Sequence, residues 1–215
     1  MIKRTLYFGN PSYLSLTNEQ MVVKLPQVEK NQTIPDSMKG DMQKTIPIED
    51  IGVVILDNQQ ITITQGLMNA LHKNNVAIIS CNECHIPNGL MLSLEGHTLQ
   101  QEKFRWQLDA SVPLKKQLWA QTVECKIINQ ATVLRQFGSE PEYLINWSKN
   151  ITSGDTKNIE AQAAAHYWPR VFKSIPGFIR DRNGQAPNTL LNYGYAIVRA
   201  ITARSLVASG LLPTL

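Results

Sequence analysis

"TLQQEKFRWQL", residues 98–108, is where the chain changes its hydrophobic rhythm. Before it, apolar residues come in short β-branched or aromatic runs. After it, they recur with a period near 3.6, the spacing of one helix face. The fold follows from that switch: a strand-rich first part, then helices.

Upstream, "RTLYFG", "YLSLT" and "MVVKL" are short strand candidates split by Asn, Pro and Glu. "QKTIPI" and "GVVILD" follow. Val53 to Leu56 is an unbroken apolar run, as a strand buried on both faces requires. Lys30 to Gly40, with Pro35, has the polarity of a hairpin loop. Thr64 suits the N-cap of a short helix with Leu67, Ala70 and Leu71 on one face, stopped at Asn74-Asn75. "VAIIS" and "LMLSL" return to strand character.

Downstream, Ser111 and Pro113 fit the cap and first turn of a helix running toward Phe137, with Leu114, Leu118, Cys125 and Ile128 on a shared stripe. "PEYLINWSKN" reads as a shorter helix. Asp155 or Thr156 suits the cap of the next, and Pro169 should kink or end it. A last helix is expected from about Asn188 to Ala208, with Gly210 as its stop. The expected fold is α+β: a small β-sandwich-like domain over residues 1–95, then an all-helical domain over 96–215.

The 215 residues are 43% hydrophobic and 18% charged, an ordinary globular composition. No apolar run approaches the roughly 18 residues of a membrane span. The first residues, "MIKRTLYFGNPSYLSL", carry no signal-peptide pattern, and three cysteines make no disulfide framework. A cytoplasmic protein with no membrane partner is expected. The net charge of +4 is uneven: residues 1–100 hold 7 Lys/Arg and 9 Asp/Glu, whereas 101–215 hold 14 and 8. A basic second half suits either a solvated surface or a phosphate-rich partner.

Three stretches hold chemistry-bearing residues. "CNECH" at Cys81–His85 matches the C-x-x-C-H haem pattern and could offer zinc ligands with His97, but there is no export signal and no second C-x-x-C, and a structural role is the preferred reading. In "SGDTKNIEAQAAAHYWPRVF", residues 153–172, Glu160, Ala163, Ala164 and Tyr167 share one helix face. His166 lies about 240° round from Glu160, so the two make no H-E-x-x-H pair. Glu160 is either a surface glutamate or a carboxylate held at a helix interface to await metal partners. In "NTLLNYGYAIVRA", Tyr193 and Tyr195 flank a mid-helix Gly194, which costs about 1 kcal/mol relative to Ala and suggests close packing or a functional constraint.

The order of "YFGNPSYLSLTNEQMVVK", "IEDIGVVILDNQQITIT", "NGLMLSLEGH", "GDTKNIEAQAAAHYWPRVF" and "NTLLNYGYAIVRA…ASGLLPTL" resembles the CRISPR-associated integrase, the larger of the two universal adaptation proteins, above all the members that accompany type II systems. The resemblance runs end to end. It implies a metal-dependent DNA endonuclease and integrase that inserts captured fragments (spacers) into a CRISPR array by 3′-hydroxyl transesterification. It also implies a homodimer through the strand-rich domain, double-stranded DNA with 3′ ends as substrate, and a small ferredoxin-like CRISPR adaptation protein as partner. By the same resemblance Glu160 is the catalytic carboxylate and a ligand of Mg²⁺ or Mn²⁺. Asn192 and Tyr193 line the active site, and Arg170, Lys173, Arg180, Arg182 and Arg199 meet DNA phosphates. The family's His falls just beyond a string like Gly210–Pro213, and its last acidic ligand falls further on. None of His72, His85, His97 or His166 matches that place. The expectation is therefore a C-terminally truncated member, inactive as it stands. The alternative is a non-catalytic DNA-binding or assembly module of the same fold.

Overall fold

Strand β5 (Ile51–Leu56) carries apolar side chains on both of its faces, and the first unit of the fold is built around it. The structure is a computed structural model that describes residues 3–31, 33, 35–94 and 96–214. One sheet has the order β1 (Arg4–Phe8), β5, β7 (Ala77–Cys81), β8 (Pro87–Met91); the first three strands are parallel and β8 is antiparallel. The other has the order β4 (Lys44–Pro47), β3 (Gln20–Lys24), β2 (Tyr13–Thr17), β6 (Thr62–Ile63). Two short helices, α1 (Pro26–Glu29) and α2 (Asp36–Asp41), join β3 to β4, so the stretch expected to be a plain hairpin loop contains a helical turn.

The side chains of β5 divide between two cores, alternating from Val53 onward. Val54 points into a cluster with Leu14, Met21 and Ile46 of the second sheet and with Leu67 and Leu71 of α3 (Gln65–Lys73), and Ile51, which lies before a register shift against β1, joins the same cluster. Thr64 caps α3 by accepting from Leu67 N–H at 3.4 Å, as expected. Val53 and Ile55 point the other way, into a cluster with Ala77, Ile79, Ile197 and Ala200. The last two belong to α8 (Asn188–Ala208), which therefore packs on the first sheet.

That packing sets the units. One is Met1–Gln107 with Leu190–Leu215, the other Leu108–Thr189. The expected division at residue 95 differs from this grouping, because most of α8 joins the strands. Helix α8 ends at Ala208, and Gly210, with a φ of +76°, closes the turn after it, with Leu211 N–H donating to Leu206 C=O at 2.9 Å. Helix α4 (Gln100–Asp109) links the two rhythms of the sequence.

The second unit holds α5 (Val112–Gln136), α6 (Glu142–Ser148) and α7 (Ile159–Val171). Ser111 caps α5, with Pro113 in its first turn as expected. Its core is Val123, Ile127, Ala131 and Leu134 of α5 against Leu144, Ile159 and Ala163. The stripe expected from the sequence is the opposite one: Leu114, Leu118 and Ile128 are 44%, 52% and 44% exposed, and Cys125 is exposed too. Both stripes satisfy a helical period, and only the tertiary partners choose between them. Pro169 stands inside α7, two residues before its end.

Replacing Ile127 by Ala should cost about 2–5 kcal/mol, because it leaves a cavity in a fully buried site. Leu118→Ala should stay within about 0.5 kcal/mol. Urea unfolding of the two variants checks the assignment of the buried face.

Candidate functional site

Glu160 is the second residue of α7, and its backbone is fixed from below. The Asp155 carboxylate accepts from Ile159 N–H at 2.8 Å through one oxygen and from Glu160 N–H at 3.0 Å through the other. This occupies two of the four amides a helix start leaves unpaired, and a carboxylate is favoured at that end of the helix dipole. The sequence offered Asp155 or Thr156 as a cap. The residue immediately before the helix is instead Asn158, in the left-handed region with no side-chain bond, and Asp155 reaches over it.

The flanking packing is equally firm. Ile159 is buried and Ala163 is fully buried against α5. Across that contact the Lys126 ammonium of α5 donates to Glu160 Oε1. Glu160 thus sits at a helix interface rather than as an isolated surface acid. Its partner Lys126 was missed by sequence reading, because nothing in the local pattern links residues 34 apart.

Further along α7, His166 turns elsewhere. Its ring lies 5.5 Å from Tyr143 and 5.4 Å from Trp147, and burial, with the Arg170 charge, holds its pKa below the ordinary value. Arg170 is exposed and donates to His166 C=O at 2.9 Å. Lys173 and Arg182 are exposed. Arg180 has a structural post: Nη1 donates to Asp181 C=O at 2.9 Å and to Asn188 Oδ1 at 3.1 Å, and the guanidinium lies 5.9 Å from the Trp168 ring centroid. Planar donors stacked on an aromatic face are held by both contacts.

Asn192, Tyr193 and Arg199 stand on the part of α8 that belongs to the first unit. Arg199 is exposed. The Tyr193 hydroxyl is pushed up by burial and by the nearby Cys81 and Asp57. A Cβ added at Gly194 would meet nothing within 4 Å among the described residues, so the close approach suggested by a mid-helix glycine is absent there.

A second cluster, in the first unit, has Asp57 at its centre. Its side chain is 3% exposed and accepts from Tyr7 Oη at 2.5 Å, with His85 Nδ1 at 3.1 Å from its other oxygen. Burial pushes the Asp57 carboxyl up, but the hydrogen bonds from Tyr7, His85 and Cys81 outweigh it, and the pKa falls below the usual carboxylate range. The same bond, with burial and the Asp57 charge, pushes the Tyr7 phenol up to about 12. Burial and Asp57 push the Cys81 thiol up to about 11. "CNECH" is therefore a turn tied to Asp57: Asn82 Oδ1 accepts from Cys84 N–H at 3.0 Å and Ile86 N–H at 2.9 Å. His97, the fourth ligand considered for zinc, accepts instead from Leu99 N–H at 3.0 Å. The cue in the sequence was the acid closing the apolar run "GVVILD".

Among the described residues no group of three or more His, Cys, Asp or Glu is placed to hold a metal ion. Glu160 supplies one carboxylate, already met by an ammonium. The described residues do not by themselves fit Mg²⁺, which needs near-octahedral oxygen ligation.

The family model for CRISPR associated protein Cas1 matches residues 6–215. The chain belongs to the Cas1 family. It is 36% identical over 217 aligned positions to a CRISPR-associated endonuclease Cas1 of Neisseria meningitidis serogroup C (strain 8013), covering 100% of this chain and 66% of that protein. A Pyrobaculum aerophilum relative, CRISPR-associated endonuclease Cas1 2, is 26% identical over 87% of this chain and 67% of its own. The chain spans about two thirds of the length of these curated relatives. Among solved structures, a casposase bound to integration product has a TM-score of 0.69 at 18% identity, over 98% of this chain and 62% of its own. A Cas1 protein from Thermotoga maritima has 0.68 at 14%, over 96% and 65%. At such identities the likeness establishes the α+β fold alone. No described helix is long and apolar enough to cross a membrane.

The Asp57 cluster predicts a pH dependence of known sign. A depressed folded-state pKa contributes stability that is present above the unfolded value near pH 4 and lost as pH falls through the folded one. The raised Tyr7 pKa contributes below about pH 10 and is lost as pH rises toward about 12. Tyr7→Phe should move the acid unfolding midpoint, followed by circular dichroism, to higher pH and weaken the alkaline limb, to which Cys81 and Tyr193 still contribute.

Proposed function

We propose that this Cas1-family chain acts in CRISPR adaptation as a DNA endonuclease and integrase that inserts captured fragments into an array. In the proposed reaction a 3′-hydroxyl oxygen forms a new bond to a phosphorus of the repeat as the existing ester oxygen leaves. The number of phosphodiesters is conserved, so no nucleotide cofactor is needed. The observation that carries the reading is the fixed placement of Glu160, which the resemblance assigns as the family's carboxylate, by the Asp155 cap and the α5–α7 packing. The names of relatives support it: two are called endonucleases, and one structural neighbour holds an integration product.

The partners follow the same reading. Other neighbours of this fold are titled a Cas6-RT-Cas1–Cas2 complex, TM-score 0.65, and a TtCas1–DNA complex, TM-score 0.52. Double-stranded DNA with 3′ ends, a second copy joined through the strand-rich domain at 1–95 and a small ferredoxin-like adaptation protein are the proposed partners, in the cytoplasm. DNA phosphates are proposed to meet Arg170, Lys173, Arg182 and Arg199, with Asn192 and Tyr193 lining the active site. Arg180 is proposed to meet DNA phosphates as well, with its Nη1 bonded to Asn188 and its guanidinium over the Trp168 ring. Mg²⁺ or Mn²⁺ is the proposed cation, and Glu160 alone does not form its site.

One observation favours a second reading, a non-catalytic DNA-binding or assembly module: the Glu160 carboxylate is paired with the Lys126 ammonium. An integration assay separates the two. The encoded protein is mixed with a 3′-hydroxyl DNA fragment, a repeat-bearing plasmid and Mn²⁺. The enzyme reading expects joined product that Glu160→Ala removes while DNA binding and the helical circular dichroism signal remain, since Ala is a strong helix former. Product that survives Glu160→Ala contradicts the role of Glu160. DNA binding with no product from the parent protein supports the module.

A further inference from the structure

His97 and Lys103 stand in a contact that neither can satisfy with the other. His97 precedes α4, and its Nδ1 accepts from Leu99 N–H at 3.0 Å. A ring nitrogen that accepts carries no proton, so the proton of the neutral imidazole sits on Nε2. Lys103 Nζ lies 3.3 Å from that Nε2. An ammonium has three donors and no acceptor. Two donors are therefore held at hydrogen-bonding distance and cannot bond to each other.

The surroundings keep both in place. Lys103 Nζ donates to Ser209 C=O at 2.8 Å, just past the end of α8. Gln107 Oε1 accepts from Leu212 N–H at 2.8 Å, and its Nε2 donates to Leu212 C=O at 3.3 Å. Gln100 ties the preceding loop in the same way: its Oε1 accepts from Gly96 N–H and its Nε2 donates to Leu94 C=O, both at 3.2 Å. A Cβ added at Gly210 would lie 2.9 Å from His97 Cβ, so the turn after α8 presses on this side chain. All of these residues belong to one unit. The pair borders an open cleft of about 630 Å³ lined by Gly96, His97, Thr98, Gln100, Gln101 and Phe104. Among the described residues the ion pairs are Lys24–Glu29, His85–Asp57 and Lys126–Glu160, so no described carboxylate neutralises Lys103.

We propose that His97 Nε2–H and Lys103 Nζ form a phosphate-binding pair that holds one anionic oxygen between them. An oxygen about 2.8 Å from each nitrogen bonds to both at once. It turns an unfavourable donor–donor contact into two hydrogen bonds, one of them charge-assisted. A phosphate carries further oxygens, which leaves some for the Thr98 hydroxyl and the Gln101 amide at the cleft wall. The phosphate is either that of a DNA backbone or a free phosphate, and the chemistry recognised is the same. Only the DNA source rests on the function proposed above.

The first measurement needs no variant. Long-range proton–nitrogen spectra of protein labelled at histidine report which ring nitrogen of His97 carries the proton, the signal being identified by its loss in His97→Gln. The proton is expected on Nε2. A proton on Nδ1 overturns the proposal, because Lys103 would then simply donate to Nε2. Inorganic phosphate is next titrated at constant ionic strength, with acetate as the control anion. The His97 signal should shift saturably with phosphate, less with acetate, and with neither in Lys103→Met, whose fold is checked by circular dichroism. An equal shift with acetate, or an undiminished shift in Lys103→Met, overturns phosphate recognition by the pair. The source is read from duplex DNA binding by fluorescence anisotropy over a range of salt. If the phosphate is that of DNA, Lys103→Met makes the plot of log Kobs against log salt shallower by about 0.9, one phosphate contact. An unchanged slope with a Lys103-dependent phosphate shift assigns the site to free phosphate. No phosphate shift together with an unchanged slope overturns the proposal. Absence of salt-dependent DNA binding in both proteins, with the phosphate shift intact, defeats the DNA-binding reading alone and leaves the pair as a site for free phosphate.

Discussion

Burial of β5 on both faces is the constraint from which the first unit follows. A strand with apolar side chains on both sides needs a layer against each. Ile51 and Val54 are covered by the second sheet and α3, Val53 and Ile55 by α8. Each of the four is nearly inaccessible, and each such side chain contributes about 1.5–3 kcal/mol of burial. The chain therefore returns from its helical part to complete the sheet it began with. Arg204 on α8 adds a polar tie by donating to Asn75 C=O.

The second unit applies the same logic to Glu160. Val123 and Ile127 of α5 against Ile159 and Ala163 of α7 fix the distance between two helices, and that distance brings Lys126 to Glu160. Small Ala163 allows the approach. Asp155 then locks the first turn, so the carboxylate is held by packing and by backbone hydrogen bonds at once. A group positioned in this way suits a task in which orientation matters. Arg180 shows a second way of fixing a side chain: its Nη1 donates to Asn188 Oδ1 and to Asp181 C=O of its own loop.

Much of this was legible in the sequence, for physical reasons. The doubly buried strand, the Thr64 and Ser111 caps and the Gly210 stop are local signals, and the structure repeats them. The order of uncommon strings led to the Cas1 family. What was not legible depends on partners distant along the chain. Leu114–Leu118 and Val123–Ile127 carry equal helical periodicity, and only the position of α7 decides which is covered. The attachment of α8 to the sheet, the Lys126–Glu160 pair and the Tyr7–Asp57–His85 cluster all join residues 28 or more positions apart.

Under the proposed function, DNA ends are brought to the first turn of α7. Photocrosslinking tests it most directly. A duplex carrying 5-iodouracil next to its 3′ end is irradiated with the protein, and the attached peptide is identified by mass spectrometry. The account predicts crosslinks concentrated in residues 153–172 and in the segment of α5 around Lys126. Crosslinks confined to residues 3–94, with none in α5 or α7, would contradict it.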